Sequence, residues 1–243
     1  MEEVVIVGAG IAGLSTAVAL KKVGVQALVL ERSEGLRATG AGLVLYPNAW
    51  PALDALGVLD KLAALYAPFD KGYITDVKTK IIREVQFASD DWNGGKLRVV
   101  HRKVLLEVLA EELPPNTIRF SSKITSLKTQ IEHGSSTCII SLDDGTTIKS
   151  KAVIGCDGVH SVVARWLGLR SPVYSGRLAV RGLSVFPEGH RFGGASELTN
   201  LWMWEKGPAF FLSMTRRCTG ISRSSVLLKV WRREPNQKRY KGK

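Results

Sequence analysis

A continuous apolar run, Val4 to Val7, empties directly into Gly8, Gly10 and Gly13 in GxGxxG spacing, and no other stretch constrains the fold as much. Four consecutive apolar residues are the pattern of a strand buried on both faces in a parallel sheet. A helix from about Ile11 to Val23 follows, Gly24 ends it, and Gln26 to Leu30 reads as a second strand closed by Glu31. Strand, glycine turn, helix, strand and acid stand in the order of a dinucleotide-binding unit.

Each glycine has its own task in that unit. Gly8 makes the tight turn out of the strand, Gly10 admits a pyrophosphate close to the backbone, and Gly13 lets the helix pack without a Cβ in the way. The helix N-terminus, worth roughly half a positive elementary charge, faces the phosphates, so anion binding needs no lysine. Glu31 is placed to accept hydrogen bonds from a ribose 2′-OH, and its charge repels a 2′-phosphate; the pocket suits FAD or NAD better than NADP. The bland alternative, a glycine-rich turn in a βαβ unit that binds nothing, has to explain all five features at once.

Composition excludes more than it identifies. The chain of 243 residues is 45% apolar, long enough to bury a core, and none of its apolar runs reaches the ~18 residues of a membrane span. No signal or transit segment is read at its start, and three widely spaced cysteines, Cys138, Cys156 and Cys218, argue against a disulfide framework; the cytoplasm or another reducing compartment is expected. The four histidines show no metal-ligand spacing, so no metal is expected. The net charge of +12 is uneven: residues 201–243 hold 11 Lys and Arg against 2 acids, leaving 23 against 20 for the rest. The basic character belongs to the tail, and no nucleic-acid partner is expected.

Further along, Arg32 and Arg37 lie in a glycine-rich loop near where an adenosine and pyrophosphate would rest, although exposed loop arginines are more often simply solvated. Leu53, Leu56, Leu59, Leu62 and Leu65 recur every three residues in a helical stretch broken at Gly57, which predicts one apolar face. Two short strands are expected between Phe69 and Phe87, and a loop at Ala88 to Gly95, whose acids Asp90 and Asp91 read as a solvated turn. His101 to Leu113 is a helix with Val104, Leu105, Val108, Leu109 and Leu113 inward, and strands follow with a hairpin at Asp144 and Gly145. A buried strand then runs through Ala152 into GCDGVHSVVARWLG, where Ser161 is placed to cap a helix and Cys156 reads as a small buried residue.

The runs GAGIAGLSTAVALKKVG and ERSEGLRATGAGLVLYPNAWPALDALGVLDKL resemble the N-terminal part of the FAD-dependent aromatic-ring hydroxylases, the single-component flavoprotein monooxygenases, and are most similar to their plant zeaxanthin epoxidase-like and salicylate hydroxylase-like branch. The similarity extends from Val4 to about Gly189. It implies an α/β fold, a glutathione-reductase-like Rossmann FAD-binding domain with an incomplete β-sheet substrate domain. It implies that Arg102, at the start of its helix, contacts the flavin cofactor, that the chain near Ile124 lies against the adenine, and that Asp157 of the Asp-Gly fingerprint helps hold the pyrophosphate through water. A cation in a helix's first turn opposes the helix dipole, which favours a functional role for Arg102.

The candidate cofactor-binding set is therefore Gly8, Gly10, Ala12, Gly13, Glu31, Arg32, Arg102, Ile124 and Asp157. No catalytic residue is named. The expected division is a FAD-binding domain in two parts, 1–68 and 101–170, substrate-domain strands at 69–100, a partial substrate domain at 171–212 and a basic, poorly ordered tail at 213–243. The family's downstream Gly-Asp-Ala segment is not found, and the chain is expected to be a shortened member. Two functions stay open: a monooxygenase using FAD, NAD(P)H and O₂ to hydroxylate or epoxidise an aromatic or isoprenoid-like small molecule, or a FAD-binding fragment without turnover that serves as an interaction or regulatory protein. A third, an NAD-dependent dehydrogenase, uses the same βαβ unit, and the Asp-Gly fingerprint argues against it.

Overall fold

The computed structural model describes residues 1–36, 42–69, 71–76, 79, 81–86, 97–132, 135–174, 179–185, 197–204, 207–214 and 217–223. The elements that build the cofactor half are β1 (Glu2–Val7), α1 (Ile11–Lys22), β2 (Ala27–Leu30), β3 (Gly42–Leu45), α2 (Ala49–Leu56), α3 (Leu59–Leu65) and β4 (Pro68–Phe69). After β5 (Lys71–Asp76) and β6 (Ile82–Gln86), that half resumes with β7 (Leu97–His101), α4 (Arg102–Glu111), β8 (Ile118–Arg119), β9 (Ile124–Glu132), β10 (Ser135–Leu142), β11 (Thr147–Gly155) and α5 (Val162–Trp166). The strands β12 (Ala179–Val185), β13 (Glu197–Trp204), β14 (Gly207–Met214) and β15 (Arg217–Arg223) complete the described chain.

The first sheet runs β8-β2-β1-β11-β10-β9. Its first four strands are parallel, with β1 between β2 and β11, and β10 and β9 are added antiparallel. The apolar run of β1 explains its central place: Val5 and Ile6 are completely buried and point to opposite faces. On one face Val4, Ile6 and Val29 pack under α1 to α4, with Leu14, Leu62, Leu106 and Leu109 at the centre. On the other face Val5, Val7 and Leu30 pack under Cys138, Ile140 and Leu142 of β10 and Val163 of α5. The expected hairpin is there: Gly145 has φ +82°, and the Asp144 carboxylate accepts from the Thr146 N–H at 2.8 Å and from Arg119 at 2.9 Å.

Three expectations are corrected. The leucine stripe forms one face only as far as Leu62: Leu53, Leu56, Leu59 and Leu62 pack into one core across the break at Gly57 (φ +78°), where α2 ends and α3 begins, while Leu65 is 61% exposed. Residues 69–100 do not all join one sheet: β5 and β6 lie in the six-stranded sheet with β12 to β15, but β7 pairs with β3 and β4 in a three-stranded sheet of its own. The stretch from 213 is not irregular from its start, because β15 pairs along its length with both β12 and β14 inside the six-stranded sheet β12-β15-β14-β13-β5-β6. Arg37, Asp90 and Asp91 lie outside the described residues.

Candidate cofactor-binding site

A cavity of about 630 Å³ opens at the carboxyl ends of β1, β2 and β11. This is where the strand order reverses around β1, the crevice in which open α/β sheets bind ligands. The parallel register puts Val7 level with both Leu30 and Gly155, so the three strands deliver their following loops to one level. Gly8, Ala9 and Gly10 come from the first loop, Glu31 and Arg32 from the second, and Cys156, Asp157, Gly158 and His160 from the third.

The glycines are required for three separate reasons. Gly8 has φ +102°, and a Cβ on it would lie 2.6 Å from the Cys156 carbonyl oxygen. A Cβ on Gly13 would lie 1.8 Å from the Gly8 carbonyl oxygen, so Gly13 seats α1 against its own loop rather than against a strand. Gly10 is the opposite case: a Cβ there would meet nothing within 4 Å, and the space in front of it is the cavity. Gly10 also stands extended before α1, and no side chain caps the helix. Helix geometry leaves the first-turn amides without a carbonyl partner within the helix, which makes them donors for an anion.

Glu31 is 8% exposed. Its Oε2 accepts the Ala9 N–H at 2.9 Å and its Oε1 accepts the Ser33 N–H at 2.9 Å. The acid at the end of β2 is thus bonded to the glycine loop itself, a partner the motif does not predict. Asp157, beside Gly8, uses its two oxygens differently. Oδ2 accepts the Val162 N–H at 2.6 Å at the start of α5, whereas Oδ1 is buried with no hydrogen-bond partner among the described residues. Ser161 caps the same short helix, accepting from the Ala164 N–H at 2.8 Å as expected.

Of the nine candidate residues, Gly8, Gly10, Glu31, Arg32, Arg102, Ile124 and Asp157 line the cavity; Ala12 and Gly13 do not. Ala12 lies on the first turn of α1, and its carbonyl accepts the Thr16 hydroxyl at 2.8 Å. Ser122, Lys123, Leu106, His160 and Arg165 also line the cavity, beyond that set. Arg165 belongs to the Asp-Gly fingerprint, so its place was legible. Ser122 and Lys123 carry no motif signal: they arrive because the β8–β9 connection is laced to the turn after β2, with the Ser122 N–H donated to the Glu31 carbonyl at 2.8 Å and the Ser121 N–H to the Ser33 carbonyl at 2.9 Å. Ser121 takes φ +50° there, a strained value for a residue with a side chain. Burial pushes the Cys156 thiol up, partly opposed by a hydrogen bond with Thr16 and aided last by the Asp157 charge, so Cys156 is a neutral thiol on the cavity wall.

An uncapped helix N-terminus, an open approach at Gly10, an acid at the ribose position and a buried orphan acceptor at Asp157 Oδ1 fit a dinucleotide with a diphosphate and hydroxyl groups. With a strand meander following the βαβ unit, fold and cavity define a flavoprotein-type dinucleotide-binding domain. The chain belongs to the family described as the FAD binding domain, which matches residues 1–241. Monooxygenase 2 of Arabidopsis thaliana is 45% identical over 191 residues, covering 79% of this chain and 46% of the relative. Monooxygenase 1 of the same plant is 40% identical over 199 residues, covering 79% and 47%. The chain thus spans about half the length of the curated relatives it matches. Klebsiella pneumoniae HpxO, solved with FAD and uric acid, superposes with a TM-score of 0.77 at 21% identity, covering 91% of this chain and 56% of that one, and so shares the fold. The resemblance to FAD-dependent hydroxylases and the plant affinity are borne out. No helix among the described residues is long and apolar enough to cross a membrane.

Proposed function

We propose that this chain binds FAD and works as a monooxygenase that takes electrons from NAD(P)H and uses O₂ to hydroxylate or epoxidise an aromatic or isoprenoid-like small molecule. The observation that carries the FAD part is the buried Asp157 Oδ1, an acceptor with no donor among the described residues, on a residue that lines the same cavity as Gly10 at the start of the uncapped helix α1. An isolated buried acceptor costs on the order of 1–3 kcal/mol, and a hydroxyl or ordered water of the bound cofactor removes that penalty.

Each residue has a task that needs no bond to be made by the protein. The first-turn amides of α1 and the Arg102 guanidinium hold the diphosphate, Glu31 accepts from the adenosine ribose, and the backbone at Ile124 lies against the adenine. FAD, when bound, supplies the redox and oxygen chemistry. The apolar walls, Val7, Leu30, Leu106 and Val162, keep water from the cofactor. Arabidopsis relatives carrying the name monooxygenase support the reaction class. The test is the visible spectrum of the purified protein after incubation with FAD and desalting, followed by NAD(P)H oxidation in air with phenolic substrates. Flavin bands near one per chain and product carrying an added oxygen are expected; a colourless protein overturns the reading.

A second reading, FAD binding without turnover, is favoured by one observation: the chain spans about half of its relatives. Retained flavin with no NAD(P)H oxidation under the same conditions selects it.

A further inference from the structure

We propose that Glu31 is a positioning residue for the diphosphate as well as a partner of the ribose: its carboxylate is the strut that fixes the glycine loop in its phosphate-binding shape. The inference rests on the FAD reading above.

The geometry is specific. The loop from Gly8 to Gly10 has no side chains able to brace it, and Gly8 is held by its own N–H, donated to the Leu30 carbonyl at 2.8 Å. The next amide, of Ala9, would otherwise point into the cavity rim; it is taken by Glu31 Oε2 at 2.9 Å, a buried bond spanning 22 residues of sequence. Oε1 is anchored in turn by the Ser33 N–H at 2.9 Å, and the Glu31 carbonyl accepts the Ser122 N–H at 2.8 Å. A charged acceptor held by two backbone donors cannot swing aside, and such charge-assisted bonds are about twice as strong as neutral ones. With the first two loop amides committed to Leu30 and Glu31, the diphosphate is left to Gly10 and the first turn of α1. Glu31 therefore selects which amides the phosphates meet.

Glu31→Gln separates this role from ribose contact. The side-chain amide has one acceptor and one NH₂, so whichever way it turns, one backbone N–H faces a donor. Affinity is measured by titration calorimetry for FAD and for an FAD analogue lacking both adenosine ribose hydroxyls, in the wild-type and variant proteins. A strut weakens both ligands by a similar factor, at least tenfold, and shifts the ³¹P resonances of the bound diphosphate in the variant, a signature that a general loss of stability leaves unmoved. If the substitution weakens FAD but not the analogue, Glu31 acts through the ribose alone and the proposal fails. Equal affinity of variant and wild type for both ligands also overturns it. Circular dichroism of the variant without ligand identifies a protein that has failed to fold; in that event the Ala9 N–H is removed by N-methylation in a semisynthetic protein, and undiminished binding of both ligands overturns the proposal. A wild-type chain that retains no FAD overturns the FAD reading itself, a result separate from any of these.

Discussion

Gly10 and Gly13, two residues three apart, are glycine for opposite reasons, and stability and binding can be made to part company there. Alanine at Gly13 drives a Cβ to 1.8 Å from the Gly8 carbonyl oxygen, backbone that cannot give way cheaply, so Gly13→Ala is expected to destabilise the protein without ligand by about 1–3 kcal/mol or more and to abolish flavin retention. Alanine at Gly10 meets no protein atom within 4 Å, so Gly10→Ala is expected to leave unliganded stability within about 1 kcal/mol of wild type while weakening FAD strongly. Denaturation of the unliganded proteins beside FAD titration checks both. Cys156 gives a pH test: the folded state disfavours its thiolate, so its contribution to stability is intact below the ordinary thiol range and is lost as pH climbs toward the raised value. Iodoacetamide at pH 8.5 is expected to modify Cys156 more slowly than a free thiol, and more slowly again with FAD in the cavity it lines, followed by mass spectrometry.

At the level of elements, the short helix α5 shows what the sequence made legible and what it hid. The strand-to-helix passage at Gly155 was readable, and so was the Ser161 cap, because serine before an apolar helical run has one common use. The double duty of Asp157, capping α5 with Oδ2 while the residue lines the cavity and keeps Oδ1 buried, was not readable, since an Asp-Gly pair looks the same whether it turns a chain or holds a ligand. Asparagine keeps an acceptor for the cap but turns the second, buried acceptor into a donor. Asp157→Asn is therefore expected to preserve α5 and the unliganded melting temperature and to lose at least tenfold in FAD affinity, whereas Ser161→Ala is expected to lose about 1 kcal/mol of stability with FAD affinity within a factor of three. The period-three leucines held as far as Leu62 across the expected break at Gly57, and Leu65 falls outside the core at the last residue of α3. The pairing of β7 with β3 and β4 was hidden for another reason: strand partners depend on where intervening helices return the chain, which no local pattern encodes.

On the scale of the molecule, the described residues that line the cavity come from the first sheet, its helices and their loops, while the second sheet gathers β5, β6 and β12 to β15. Among the described residues, the buried members of the two hydrophobic clusters that hold the cavity in shape fall within 4–163, so the proposed FAD binding is testable apart from turnover. The proposed dinucleotide would meet the α1 N-terminus with its phosphates, and Glu31, Ser122, Lys123 and Ile124, which line the cavity, with its adenosine end. A ligand that binds the folded state alone adds about 2.7 kcal/mol at a hundredfold excess over its Kd, which for a chain of this size raises the melting temperature by roughly 5–10 °C. FAD is expected to give a shift of that order, whether or not NAD(P)H is then oxidised. FMN, which lacks the adenosine that those four residues address, is expected to give a clearly smaller shift at the same concentration. Equal shifts from the two flavins in a thermal melt place no weight on the adenosine end, and would move the recognition of this cofactor entirely onto the phosphate loop.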